Sequence, residues 1–126
     1  MTASLITALL WLSSVLPLRV SRALGRLLGR VAWLVGGSAR RVTERNIELA
    51  FPELSAARRK ELARRSLLST AELVAEMGFV WRRPWPTVRA RVLEVTGEDA
   101  VRAALSGGRG VLLLGPHLGN WEVAGL

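Results

Sequence analysis

The first 18 residues carry no charged side chain, and the stretch that follows carries an arginine at every third or fourth position. That junction constrains the chain more than any other feature. Residues 3–18 (ASLITALLWLSSVLPL) form a mostly apolar run, just short of the ~20 apolar residues that a spanning helix needs. A secretory signal would put basic residues ahead of the apolar core and a small-x-small cleavage site after it, and neither is present. Three readings remain: a short or tilted anchor, an interfacial helix, or a helix buried in protein. The first two are favoured, with Trp11 at head-group level.

Arg19, Arg22, Arg26 and Arg30 recur at spacings of three, four and four. At about 100° per residue they share one narrow stripe of a helix. Val20, Leu24, Leu27, Leu28, Val31, Leu34 and Val35 form a separate, broad face. Pro17 suits the first turn of that helix, and Gly36-Gly37 ends it. An arginine stripe beside a leucine face fits a membrane surface bearing anionic head groups. The competing reading is a solvated charged face over a protein core. If residues 3–18 span, the arginine-rich side is cytoplasmic.

Net charge is +8, and every basic residue except Lys60 is arginine. Arginine bias is a common mark of a GC-rich genome. It also suits an acidic partner: anionic lipid, an acidic carrier protein or nucleic acid. Nucleic acid is disfavoured, because the arginines lie on amphipathic helices and do not alternate with stacking aromatics on a strand platform. The absence of cysteine excludes disulfides, thiolate metal sites and a cysteine nucleophile, and the single histidine excludes a histidine cluster for metal. Neither a metal nor a cofactor is expected.

Further along, Ser38 is a candidate N-cap for a helix reaching about Ala50, and Phe51-Pro52 breaks it. Ser55 can cap a longer helix over about 56–80, with Leu62, Leu68, Leu73, Val74, Met77 and Val80 as buried positions. Arg58, Arg59, Lys60, Arg64 and Arg65 make its first half strongly basic, a mild cost against the helix dipole that an acidic partner could offset. Pro84 and Pro86 stop it. Residues 90–96 (ARVLEVT) read as a strand, 98–106 as a short helix with Glu98 and Asp99 at its favourable end, and 110–115 (GVLLLG) as a buried strand. The fold expected is therefore α/β, a helical membrane-associated region followed by the start of an α/β core with one βαβ unit. Its parts are residues 1–37 (anchor and basic helix), 38–86 (helical region) and 87–126 (beginning of the core). The last residues read as the beginning of another helix, so the chain is expected to be truncated.

The only histidine follows the apolar run directly, in Pro116-His117-Leu118-Gly119-Asn120-Trp121-Glu122. On a continuous helix, five residues would set His117 and Glu122 about 140° apart. Gly119 and Asn120 tolerate turn conformations and can bring the carboxylate back to one imidazole nitrogen. The other nitrogen can then accept a proton from a substrate hydroxyl, with no serine or cysteine nucleophile in the chain's own site. A lone histidine at a strand end is more often structural or incidental, and spacing alone does not overturn that.

The string GRGVLLLGPHLGNWE (108–122) resembles the H-x4-D/E block of the glycerolipid acyltransferase superfamily. HLGNWE is similar in particular to the lipid A biosynthesis (lauroyl/myristoyl) acyltransferases. The N-terminal apolar anchor, Arg45-Asn46 and Phe51-Pro52 within RNIELAFPEL, and VTGED (95–99) match the same family. The resemblance implies His117 as general base, Glu122 as its orienting carboxylate, and Gly119 and Asn120 as shapers of the turn. It implies an acyl-acyl carrier protein donor, a lipid A precursor or another glycolipid such as a phosphoinositol mannoside as acceptor, and a place at the cytoplasmic face of the bacterial inner membrane. The rival from another class is a non-catalytic module that binds anionic membranes. Such a module gives no reason to put the only histidine before a Gly-Asn turn.

Overall fold

A computed structural model describes residues 2–108 and 110–125. Among them run six α-helices: α1 (Thr2–Val15), α2 (Leu18–Val35), α3 (Ser38–Ala50), α4 (Ala56–Arg82), α5 (Trp85–Arg89) and α6 (Glu98–Ser106). A 3₁₀ helix covers Trp121–Gly125. Contacts divide the chain into two units, Met1–Arg82 and Arg83–Leu126.

In the first unit α4 is the hub, and α1, α2 and α3 each pack on it. The leucine face of α2 stays exposed and does not pack on α4. The buried stripe is Ser21, Gly25, Gly29 and Trp33, one small residue per turn, so the two helix backbones approach closely. A Cβ built on Gly25 would lie 2.7 Å from the Ala71 carbonyl oxygen and 2.8 Å from Ala75 Cβ. Gly78 of α4 faces α1 in the same way, with the Leu10 carbonyl oxygen and Ser13 Oγ where a side chain would go. Where the α2–α3 corner meets α4, Trp33, Ala63 and Leu67 form a compact core, flanked by Ala32 and Ile47. Arg40 lies over the Trp33 ring at 4.3 Å and donates to the Trp33 carbonyl at 3.0 Å.

Helix ends follow local chemistry. Pro17 sits one position ahead of α2 and accepts from Val20 N–H and Ser21 N–H. Gly36 ends α2 with φ +73°, donating to Ala32 O. Gly37, not Ser38, occupies the N-cap position of α3. Ser55 Oγ accepts from Arg58 N–H at 3.4 Å, capping α4 as expected. Of the positions expected to be buried on α4, Val80 is; Leu62, Leu68, Leu73 and Met77 are half-buried and Val74 is exposed. Ala63, Leu67, Gly78 and Phe79 take the innermost places instead. Close backbone approach selects Gly78 opposite α1, while Ala63 and Leu67 pack around Trp33.

The second unit overturns the α/β expectation. Its helix α6 runs from Glu98 to Ser106 between glycines, with Glu98 paired to Arg102. Among the described residues there is no strand and hence no βαβ unit. Residues 92–96 and 110–116 have no regular secondary structure, and Leu93, Leu112 and Leu114 are 86% exposed or more. The reason is physical. A strand's N–H and C=O groups need a neighbouring strand, and these two runs do not pair with each other. Helices form from contacts within their own segment, so α5 and α6 are present without one. Pro86, read as a breaker, instead lies in the first turn of α5, where a missing N–H costs nothing.

Candidate active site

The segment holding the sole histidine is an irregular turn leading into the 3₁₀ helix. Leu118 N–H donates to Pro116 O at 2.7 Å and tightens the chain immediately around His117. Gly119 then takes φ +60°, a left-handed conformation that costs a glycine least. Asn120 follows, and its carbonyl accepts from Val123 N–H at 3.2 Å to open the 3₁₀ helix. The glycine therefore reverses the chain, while Asn120 has no positive φ.

This reversal brings Trp121 back to the histidine. The two rings meet edge to face, 4.6 Å between centroids and 73° between planes. The turn at Gly119-Asn120 was expected to return Glu122 to His117; the ring contact goes to the residue before it. The imidazole is exposed and Glu122 and Asn120 are half-buried. Trp121 was missed at the level of sequence, although its i, i+4 relation to His117 was a usable signal. Chemically, a ring packed on one edge and open to solvent on another is oriented yet able to exchange a proton. Among the described residues no group of three or more histidine, cysteine or carboxylate side chains could hold a metal. Arg109, inside the histidine-bearing block, and Leu126 lie outside the described residues.

The residues expected at a membrane lie in the first unit. Trp11 is exposed on α1 beside exposed Leu5, Ile6, Leu9 and Leu12. On α2 the face formed by Val20, Leu24, Leu27, Leu28, Val31, Leu34 and Val35 is exposed throughout, up to 80% at Leu34. The arginine stripe divides in two. Arg22 pairs with Glu76 at 2.8 Å and Arg26 with Glu72 at 2.8 Å, clamping α2 to α4. Arg19 and Arg30 are exposed without a carboxylate partner among the described residues. Glu72 and Glu76 repeat at the same four-residue spacing as Arg22 and Arg26, a match readable from sequence. No helix among the described residues is long and apolar enough to cross a membrane.

A sequence model of the family described as bacterial lipid A biosynthesis acyltransferase matches residues 1–126. The chain belongs to that family. It is 36% identical over 115 residues to the lipid A biosynthesis lauroyltransferase of Escherichia coli K12, covering 90% of this chain and 37% of that protein. It is 32% identical over 117 residues to the lipid A biosynthesis palmitoleoyltransferase of the same organism, covering 92% of this chain and 38% of the relative. A lipid A biosynthesis acyltransferase of Shigella flexneri matches to the same extent. The chain thus spans less than two-fifths of the length of these relatives. No solved structure matches it. The family agrees with the resemblance carried by HLGNWE, and the whole length of the chain takes part in the match.

Proposed function

We propose that this chain belongs to the working part of an acyltransferase that moves a fatty acyl group from acyl carrier protein to a hydroxyl of a lipid A precursor. His117 is its general base and Glu122 the carboxylate that orients it. The carrying observation is the only histidine held on a glycine-reversed turn, five residues before Glu122, within a family match that runs from end to end. In the reaction the acceptor hydroxyl oxygen attacks the thioester carbonyl carbon while His117 takes the hydroxyl proton. The tetrahedral intermediate then collapses, the C–S bond breaks, and the departing thiolate receives the proton from the imidazolium. Trp121 restrains the ring edge-on. In its orienting role the Glu122 carboxylate accepts from one imidazole nitrogen, leaving the other to the substrate hydroxyl, and catalytic hydrogen bonds of this kind often tighten only when substrate binds.

The second element of the reading is attachment to the cytoplasmic face of the inner membrane through α1 and α2. It is supported by the contiguous exposed apolar faces of these helices, flanked by Arg19 and Arg30. Soluble proteins rarely expose so continuous an apolar surface. In this attachment the exposed apolar faces lie among acyl chains and Arg19 and Arg30 meet the phosphates.

The test is transfer from lauroyl-acyl carrier protein to a radiolabelled lipid A precursor by the protein as encoded, comparing wild type with His117→Ala and His117→Gln. Both variants should lose about 10²–10⁴-fold in rate with unchanged folded protein in the membrane. Near-normal turnover in His117→Ala sinks the catalytic assignment. Equal loss of folded protein and activity makes the histidine structural.

A further inference from the structure

Helices α3 and α4, joined by residues 51–55, pack on each other with an open cleft of about 380 Å³ between them. Arg41, Glu44, Arg45 and Glu48 line it from α3, and Ala56, Arg59 and Lys60 from α4. Apart from Ala56, every lining side chain is formally charged.

The carboxylates in this cleft are already committed. Glu44 pairs with Arg40 at 2.9 Å and Glu48 with Arg45 at 2.7 Å. The Arg45 hydrogen bond and charge, with the charge of Arg59 beyond them, hold Glu48 below the usual carboxylate range. Arg41, Arg59 and Lys60 have no carboxylate partner among the described residues. Two of these three cations are held in place by neutral backbone. Arg59 Nη1 donates to Pro52 O at 3.0 Å and Leu54 O at 2.8 Å, and Arg41 Nη1 donates to Gly36 O at 3.5 Å. The two bonds to Pro52 O and Leu54 O orient Arg59, whose charge acts on Glu48 only from beyond Arg45, and among the described residues Arg41 and Lys60 face no carboxylate within ion-pair distance. A ligand meeting them bears less of the ordering cost.

We propose that this cleft docks an acidic helix of a protein partner, and that the partner is the acyl carrier protein that delivers the acyl chain; the identity of the partner rests on the donor assigned under the proposed function. A groove between two packed helices can accept a third helix along its length. Its cations sit on both walls, so carboxylates one turn apart on that third helix meet Arg41 on one side and Arg59 and Lys60 on the other. A bilayer fits less well. The lipid-facing surface is the outward side of α2, whereas this stripe lies roughly 120° around α4 from the residues that contact α2 and is recessed between two helices.

The experiment uses the protein as encoded, in detergent micelles, with fluorescently labelled lauroyl-acyl carrier protein as the probe. Lys60→Glu is the first variant, because Lys60 makes no hydrogen bond or ion pair among the described residues, and its helix content is checked by circular dichroism. Arg41→Glu is the second. Each reversal should weaken carrier binding about tenfold and flatten its salt dependence. A Glu→Lys change in the acidic helix of the carrier should restore binding to Lys60→Glu. Unchanged carrier affinity in both folded variants overturns the docking site while leaving the donor reading intact. Loss of binding to phosphatidylglycerol vesicles, with carrier affinity untouched, assigns the cleft to the lipid surface and overturns it as well. A wild-type protein that ignores the carrier but transfers from another thioester removes the donor reading, and the docking site with it.

Discussion

Replacing Gly78 with alanine should loosen α1 from α4. The added methyl would overlap the Leu10 carbonyl oxygen and Ser13 Oγ, and Ser14 N would lie 2.9 Å away. Ser13 can rotate, although it would give up its hydrogen bond to Leu10 O. The Leu10 carbonyl and the Ser14 amide belong to the α1 backbone and cannot move without the helix. Van der Waals contact between carbon atoms needs about 3.5–4.0 Å, so α1 must retreat by more than an ångström. Overpacking of this kind costs about 1–3 kcal/mol, and the better helix propensity of alanine returns up to about 1 kcal/mol. The net expectation is about 1–2 kcal/mol of destabilisation, concentrated in α1. Hydrogen exchange on the protein in micelles reads this directly: amide protection should fall along residues 4–15 and persist in the second half of α4. Thermal unfolding by circular dichroism gives the global value. If Gly78→Ala matches the wild type in stability and in α1 protection, the close approach of the two backbones is not what holds α1 in place.

The α2 glycines should rank by space. Gly25→Ala, facing backbone at 2.7 and 2.9 Å, should destabilise in thermal unfolding, while Gly29→Ala, with nothing nearer than 3.1 Å, should be close to neutral; the reverse order would contradict the packing. In the acyl-transfer assay Glu122→Ala should lose much of the activity and Glu122→Asp less, since the carboxylate survives; equal activity in all three proteins would remove the orienting role. Leu27→Glu and Leu28→Glu, at exposed positions, should release the protein from phosphatidylglycerol vesicles without altering its helix content, and undiminished binding by both would place the membrane surface elsewhere. The Glu61 carboxyl, bonded by Arg64 and Arg65, is lowered to about 2 from 4.5. Its folded pKa is depressed, so its contribution to stability is full above pH 4.5 and fades as pH falls towards 2. The melting-temperature gap between wild type and Glu61→Gln should therefore close over that window. The gap should be small and muted by salt because the pair is exposed.

Much of the helical part was legible. Gly36-Gly37, Phe51-Pro52 and the Gly107-Gly108 pair mark where helices stop, because glycine and proline act on the backbone of their own segment. The reversal at Gly119 was legible for the same reason. The ring contact of His117 with Trp121 was not, since the helical spacing used to judge His117 and Glu122 does not describe a turn with φ +60°. The strands expected at 90–96 and 110–115 failed because alternation and apolar runs express a preference that only a paired neighbour can realise.

By itself the sequence determined the ends of helices, the apolar faces of α1 and α2, the arginine stripe and the position of the one histidine, all properties of residues near one another along the chain. Only the tertiary structure decided which face of α2 turns inward. The sequence left the leucine face open to a membrane surface or a protein core; Leu24, Leu27 and Leu28 stay exposed, and the contact with α4 runs through Ser21, Gly25 and Gly29. Small residues let two backbones approach until they touch over a long stretch, and the large apolar side chains are left outward. The same contact sets Arg22 and Arg26 against Glu76 and Glu72 and leaves Arg19 and Arg30 free of carboxylates. A stripe uniform in sequence is thereby divided into clamp and exposed charge, because pairing depends on what stands opposite, which no single helix carries.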